Sequence, residues 1–187
     1  MRIAFDMLIT EQEHGEALYF TCMLLDKLAL LDQSNEYIVI TARPQEYRLQ
    51  ADQPNITLYP LKSHSRLGPL TQHQLLLPGV LQHIRPDLVH VTDHAAPIGW
   101  HGLLVIAIHN TTFLEEQYRS SRLHAWLYWN YALHESMHRA QCIITTSEHV
   151  RLELLKRWPV DQSRLRVISR KTCAEETLQI YQELVGR

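Results

Sequence analysis

RAQCIITTSEHVRLELLKRW, residues 139–158, decides how the rest of the chain is read. The apolar residues Cys142, Ile143 and Ile144 run through Thr145 and Thr146 to Ser147, and an amphipathic pattern of Val150, Leu152, Leu154 and Leu155 follows. A buried strand that feeds a helix has this signature. Ser147 supplies an N-cap oxygen, and Glu148 places negative charge in the first turn, where the helix dipole favours it. Such junctions are the repeating unit of an open parallel sheet, in which ligands bind beyond the carboxyl ends of the strands.

The same alternation extends outward from this stretch. Upstream lie apolar runs at RIAFD (2–6), EYIVIT (36–41), NITLYPL (55–61), DLVHVT (87–92) and LLVIAIH (103–109), and downstream lies LRVIS (165–169). Helical patterns separate them. One runs from Glu16 to Leu31, carrying Leu18, Leu24, Leu25, Leu28 and Leu31, and ends at the breaker DQSN. A second, from Thr71 to Ile84, contains Pro78-Gly79, so a kink or a split is expected there. The aromatic segment HAWLYWNYALHESMHRA (124–140) and the terminal KTCAEETLQIYQELVGR (171–187) complete the set, and a short helix is expected after Pro44. Continuous apolar strands fit a sheet covered on both faces. The fold predicted is α/β: a single Rossmann-like, doubly wound domain with a mostly parallel seven-stranded sheet and right-handed crossovers.

A length of 187 residues suits one ordinary domain, and 45% apolar with 20% charged residues excludes disorder by composition. A formal charge of -2 gives no basic footprint for DNA or RNA, so no nucleic-acid partner is expected. Cys22, Cys142 and Cys173 are odd in number and widely spaced, which suits buried thiols in a reducing compartment rather than disulfides. The N-terminus carries no apolar signal core and no run reaches membrane-spanning length, so a cytoplasmic protein without a transmembrane segment is expected.

The predicted strand ends collect Asp6, Gly15, Asp93, His94, His109, Asn110, Thr111, Thr112, Ser147 and Glu148 along one rim. Gly15 precedes the first helix, where a glycine can adopt positive φ or admit a ligand close to the backbone. Twelve histidines are the compositional oddity. His134 and His138 share a helical face, but the sequence HESMH is not the HExxH of zinc peptidases, and the pair reads as a solvated or interface face. His90, inside a strand, reads as a hydrogen-bonded core residue. His94 and His109 follow strands, which favours contact with substrate hydroxyls or phosphate. His101 lies in the same loop region as His94. The Trp126–Tyr131 stripe reads as packing rather than a binding platform. No GxGxxG, P-loop, nucleophile elbow or CxxC occurs, so dehydrogenase, nucleotide-hydrolase, hydrolase and thiol-redox readings lack their usual support.

Taken in order, MRIAFD, the Gly15 loop with HGEALYFTCMLLDKLALLDQSNEYIVI, RPDLVHVTDHAAP, AIHNTTFL and HRAQCIITTSEHVRLELLKRWPVDQSRLRVIS resemble the N-terminal, acceptor-side domain of a GT-B fold, family 4 glycosyltransferase. The resemblance covers nearly the whole chain. It implies hexosyl transfer from a nucleotide sugar, with the equivalent of His109 at the cleft, in a VHD where this chain has IHN. It also places the equivalent of Gly15 in a loop near the donor diphosphate, usually with two glycines. Family members continue with PNGVD and a second, donor-binding domain carrying an E-x7-E motif, and none of that follows here. Instead, KTCAEETLQIYQELV resembles the family's final segment, which crosses back onto the first domain.

The resemblance therefore implies a domain over residues 1–169 and a helix over 170–187 packed back on it, joined at Ser169-Arg170-Lys171, with the donor domain absent. It implies an acceptor-side domain inactive by itself, with His109 as the catalytic candidate and Gly15, His94, Asn110, Thr111, Ser147 and Glu148 as acceptor or phosphate contacts. Neither metal nor cofactor is expected. The implied ligand is a nucleotide sugar or glycan, and the implied partner a separate donor-domain chain or a second copy. A different class of reading is a non-catalytic, self-associating or partner-binding module derived from that fold, because the face left open by a missing domain invites cover. A metal-dependent hydrolase using the histidines ranks below both.

Overall fold

The computed structural model describes residues 1–8, 15–44, 53–61, 73–111 and 123–186, the side chains of 123–130 excepted. Among these residues seven strands form one sheet: β1 Arg2–Asp6, β2 Glu36–Thr41, β3 Ile56–Pro60, β4 Leu88–Val91, β5 Leu103–Ile108, β6 Cys142–Thr145 and β7 Leu165–Val167. Among the described residues five α-helices accompany them: α1 Glu16–Leu31, α2 Leu77–Ile84, α3 Leu123–Arg139, α4 Glu148–Arg157 and α5 Cys173–Val185, with a 3₁₀ turn at Gln162–Arg164.

The strand order is β3-β2-β1-β4-β5-β6-β7, and every pairing is parallel. "Mostly parallel" thus becomes wholly parallel, and the order reverses between β1 and β4, where a doubly wound sheet opens its crevice. Successive residues of each strand serve opposite faces. Phe5, Tyr37, Val39, Leu88, Val105, Ala107, Cys142 and Ile144 pack with Phe20, Leu24, Leu25 and Leu28 of α1 and Ile180 and Tyr181 of α5. Ala4, Ile38, Ile40, Val89, Val91, Leu104, Ile106, Ile108 and Ile143 pack with Leu77, Leu81 and Ile84 of α2, Leu133 and Met137 of α3, and Val150 and Leu154 of α4. Each apolar strand is continuous because both of its faces are covered.

Local chemistry sets the ends of these elements. Asp32 closes α1, its carboxylate accepting from the Tyr37 hydroxyl at 2.6 Å, Asn35 Nδ2 at 2.5 Å and the Ser34 backbone N–H at 3.0 Å. The helix predicted from Thr71 is split. Residues 73–75 form a short helical piece, a turn intervenes at Leu76, and α2 begins at Leu77 with Pro78 in its first turn. Proline lacks the N–H that a continuous helix would need at that point, but a first turn does not use it. The short helix expected after Pro44 falls outside the described residues.

Ser147 Oγ accepts the Val150 N–H at 3.3 Å, so the N-cap read from sequence is present at the start of α4. Ser147→Ala should therefore lower stability by about 1 kcal/mol, measured by urea denaturation. A Ser147→Ala protein as stable as the parent would mean that the cap contributes nothing.

The terminal helix is tied to the body of the domain. Tyr181 is fully buried, its ring meets His90 edge-on at a centroid distance of 5.8 Å, and its hydroxyl is hydrogen-bonded to His90 Nδ1. His90 also stacks on Phe5 at 4.7 Å, so the core reading of this histidine holds. Residues 168–172 link β7 to α5 directly. Lys27 Nζ on α1 donates to the carbonyl oxygens of Arg170 at 2.8 Å and Lys171 at 3.1 Å, and Arg170 forms an ion pair with Glu16.

Candidate functional site

The carboxyl ends of β1, β4, β5 and β6 form one rim, and its centre is His109, the first residue after β5. Its ring is buried and packs against Phe20 in the second turn of α1, centroid to centroid 4.9 Å at 56°. Neither ring nitrogen has a hydrogen-bond partner among the described residues. Burial pushes this imidazole down to about 4, and the Arg170 guanidinium pushes the same way, against the opposing pull of Asp93 and Glu16. The ring is thus neutral near pH 7, with one nitrogen able to donate and one able to accept. Two buried nitrogens left without partners cost free energy in the folded protein, and a polar ligand would satisfy them.

Asp93 and His94, at the end of β4, supply the next part of the rim. Asp93 Oδ1 accepts the His94 backbone N–H at 2.6 Å and contacts His94 Nδ1. Burial opposes charge on Asp93, yet the His94 ring and backbone N–H hold its carboxyl below the ordinary range. Its second oxygen, Oδ2, is buried with no hydrogen-bond partner among the described residues. The Asp93 carboxylate, together with the neutral His109 ring, is a donor-and-acceptor set suited to hydroxyl groups.

Gly15 is the N-cap of α1, exposed, at φ -111° and ψ -160°. It is in the extended region and uses no positive φ. Any role for this glycine rests on its lack of a side chain. Asn110 is exposed and Thr111 half-buried beside His109, and Thr112 lies outside the described residues. Thr146 Oγ1 donates to the His109 carbonyl at 3.5 Å, joining the ends of β5 and β6. Ser147 is occupied as the α4 cap, and Glu148, exposed, pairs with Arg151 at 2.5 Å. The rim thus gathers His109, Asp93, His94, Glu16 and Arg170, whereas Ser147 and Glu148 have local duties within α4.

One further residue at the rim, His73, carries no signal in the sequence. Asp6, at the end of β1, is buried, and its Oδ2 is bonded to Nε2 of the buried His73 at 2.6 Å. His134 and His138 are exposed, and His101 is exposed with Nδ1 bonded to the Gly99 carbonyl at 3.1 Å. Among the described residues no group of three His, Cys, Asp or Glu could hold a metal ion, and no helix is long and apolar enough to cross a membrane. In the aromatic helix Tyr131 is 58% exposed while Ala132, Leu133 and Met137 are buried, so the packing stripe is displaced by one residue from Tyr131. The side chains of Trp126, Tyr128 and Trp129 lie outside the described residues.

Comparison with known proteins bears on what such a rim serves. The family model for Glycosyltransferase Family 4 matches residues 28–170. A glycosyltransferase from Rickettsia africae ESF-5 has a similar structure, with a TM-score of 0.52 and 14% identity over 97% of this chain and 48% of that one, so this chain spans about half its length. A sucrose-phosphate synthase structure from Thermosynechococcus elongatus gives a TM-score of 0.60 at 14% identity, over 98% of this chain and 99% of that one. At such identities the likeness is one of fold. No curated protein matches the chain.

Proposed function

This chain belongs to glycosyltransferase family 4, and from that premise we propose that it is the acceptor-side, Rossmann-like domain of a GT-B assembly, presenting one wall of a sugar-binding cleft. The observation that carries this reading is His109, buried within the field of Asp93 and with both ring nitrogens unpartnered among the described residues, at the carboxyl rim of a parallel sheet. In it His109 contacts the reacting sugar, Asp93 and His94 address hydroxyl groups, and Gly15, Asn110 and Thr111 border the bound ligand. Ser147 and Glu148 shape the adjoining wall from the start of α4. The ligand is a nucleotide sugar or a glycan, and no cofactor or metal takes part.

By itself the domain is inactive in this proposal. Glycosyl transfer needs the acceptor held against the anomeric carbon and the departing diphosphate stabilised in a site closed to water. Residues 168–172 lead straight from β7 into α5, which leaves no second domain between them to close the site. The family resemblance supports reading 1–169 as the domain and 170–187 as a segment that returns to it. The partner is then a separate chain carrying the donor-binding domain, and the compartment is the cytoplasm.

Saturation-transfer NMR with UDP-glucose, GDP-mannose, ADP-glucose and a set of oligosaccharides tests the site. At least one should bind, and His109→Asn should weaken it by about tenfold, the worth of one or two hydrogen bonds. Binding unchanged in His109→Asn, or no binding by any of these probes, would overturn the assignment of the site. Sugar transfer by the purified chain without a partner would overturn its inactivity.

A second reading, self-association, draws on the outer face of α1, where Tyr19, Leu30 and Leu31 are 64%, 72% and 49% exposed. Light scattering separates the two, since a strict monomer at high concentration excludes self-association.

A further inference from the structure

We infer that His73 and Gln74 are positioning residues for the rim, forming a directed hydrogen-bond relay that sets the loop carrying Asp93 and His94. The inference shares its rim with the proposed sugar site and rests on that reading only for what the loop presents. The relay itself is a property of the ligand-free chain.

Its polarity follows from backbone groups that can act in only one sense. The Ile98 N–H can only donate, and it meets Gln74 Oε1 at 2.8 Å. The Ala96 carbonyl can only accept, and it meets Gln74 Nε2 at 3.2 Å. Both contacts orient the Gln74 amide the same way, so its NH₂ also faces His73 Nδ1, at 3.1 Å. That nitrogen must therefore be the acceptor, and the ring proton must sit on Nε2, which donates to Asp6 Oδ2 at 2.6 Å. Asp6 Oδ1 in turn accepts the Leu8 N–H at 3.2 Å, and the Asp6 carbonyl accepts Thr92 Oγ1 at 2.9 Å. Each member has a fixed sense, from the end of β1 to the loop after β4.

The far side of the loop is held by α3. The Ala96 N–H donates to Ser136 Oγ at 2.8 Å, and Arg139 donates to the Ile98 carbonyl at 2.9 Å. Gln74 therefore closes a clamp on residues 96–98, whose other jaw is a helix. A loop fixed at both Ala96 and Ile98 has little freedom at Asp93 and His94, which begin it at the strand end. His73 contributes by accepting from Gln74. A proton on Nδ1 would set donor against donor and release that jaw.

The test is the tautomer of His73, read from long-range ¹H–¹⁵N correlations of the imidazole in the labelled, ligand-free chain. The expected result is a protonated Nε2 and a bare Nδ1. The Nδ1–H tautomer, or a doubly protonated ring near pH 7, would overturn the proposal. Gln74→Glu removes the donor and places an acceptor against Nδ1, so the ring should become doubly protonated. An unchanged His73 spectrum in Gln74→Glu would also overturn it. Gln74→Leu should speed amide exchange at Ile98 about tenfold and move the His94 ring signals while those of His90, bonded to Tyr181, stay in place. Equal movement at His94 and His90, or unchanged exchange at Ile98, would count against a local positioning role. Sugar binding lost in His109→Asn while the tautomer stands, or the reverse, tells the two readings apart.

Discussion

Lowering the pH from 6.5 to 5 is expected to remove about 3–4 kcal/mol of folding stability through two buried histidines. Burial pushes His90 down to about 3, with the charge of His109 adding to it, and burial pushes His109 down to about 4. In the unfolded chain both titrate near the ordinary 6.5. Above pH 6.5 each is neutral in both states and costs nothing. As the pH falls below 6.5 the unfolded chain takes up protons that the folded one refuses, so each histidine subtracts about 1.4 kcal/mol per pH unit. The loss for His109 is complete near pH 4, and that for His90 near pH 3. Most carboxylates have yet to titrate between pH 6.5 and 5, so the window isolates the histidines. Urea denaturation at pH 7, 6 and 5 measures the slope, and His109→Gln should roughly halve it. An equal slope in His109→Gln would show that the imidazole is not held neutral by its surroundings.

Truncating Tyr181 to Ala should cost about 3–5 kcal/mol, the scale for emptying a large aromatic site. The ring is fully buried among strands β1, β2 and β4 and helix α1, and its hydroxyl is His90's hydrogen-bond partner. Tyr181→Phe separates the two contributions. It keeps the ring but leaves His90 with neither nitrogen bonded, because Nε2 already lacks a partner among the described residues. That variant should lose about 1–3 kcal/mol. Denaturant midpoints give both values, and limited proteolysis should show α5 released first in Tyr181→Ala. A Tyr181→Ala protein within about 1 kcal/mol of the parent would mean that the terminal helix is a passive cover.

The strands were legible because each is a short apolar run with both faces covered, and the N-cap at Ser147 because its side-chain oxygen acts within three residues. His90 was legible for a related reason: a histidine flanked by Val89 and Val91 inside an apolar run has no route to solvent. Other features depend on distance in space. His73 stands between two glutamines with no apolar period to mark it, and its partner Asp6 lies 67 positions away. The most that sequence offered was an aspartate ending a buried strand, which calls for a partner without naming one. His109 could be placed at the rim from its position after β5, but the bare state of both nitrogens depends on Phe20, Asp93 and Arg170 arriving from other elements. Gly15 could be placed before a helix from the sequence, but its extended backbone is set by the fold.

The contact between Tyr181 and His90, 91 positions apart in the chain, also bears on biosynthesis. One face of the central strands is finished only by α5, so a ribosome that has made all seven strands still holds a sheet with part of that face uncovered. Vectorial folding, strand by strand as the chain emerges, cannot complete this domain before Tyr181 leaves the exit tunnel. Until then Phe5, Leu88 and His90 are surfaces that a chaperone could occupy. Docking of α5 is in that sense the step that closes this face of the sheet.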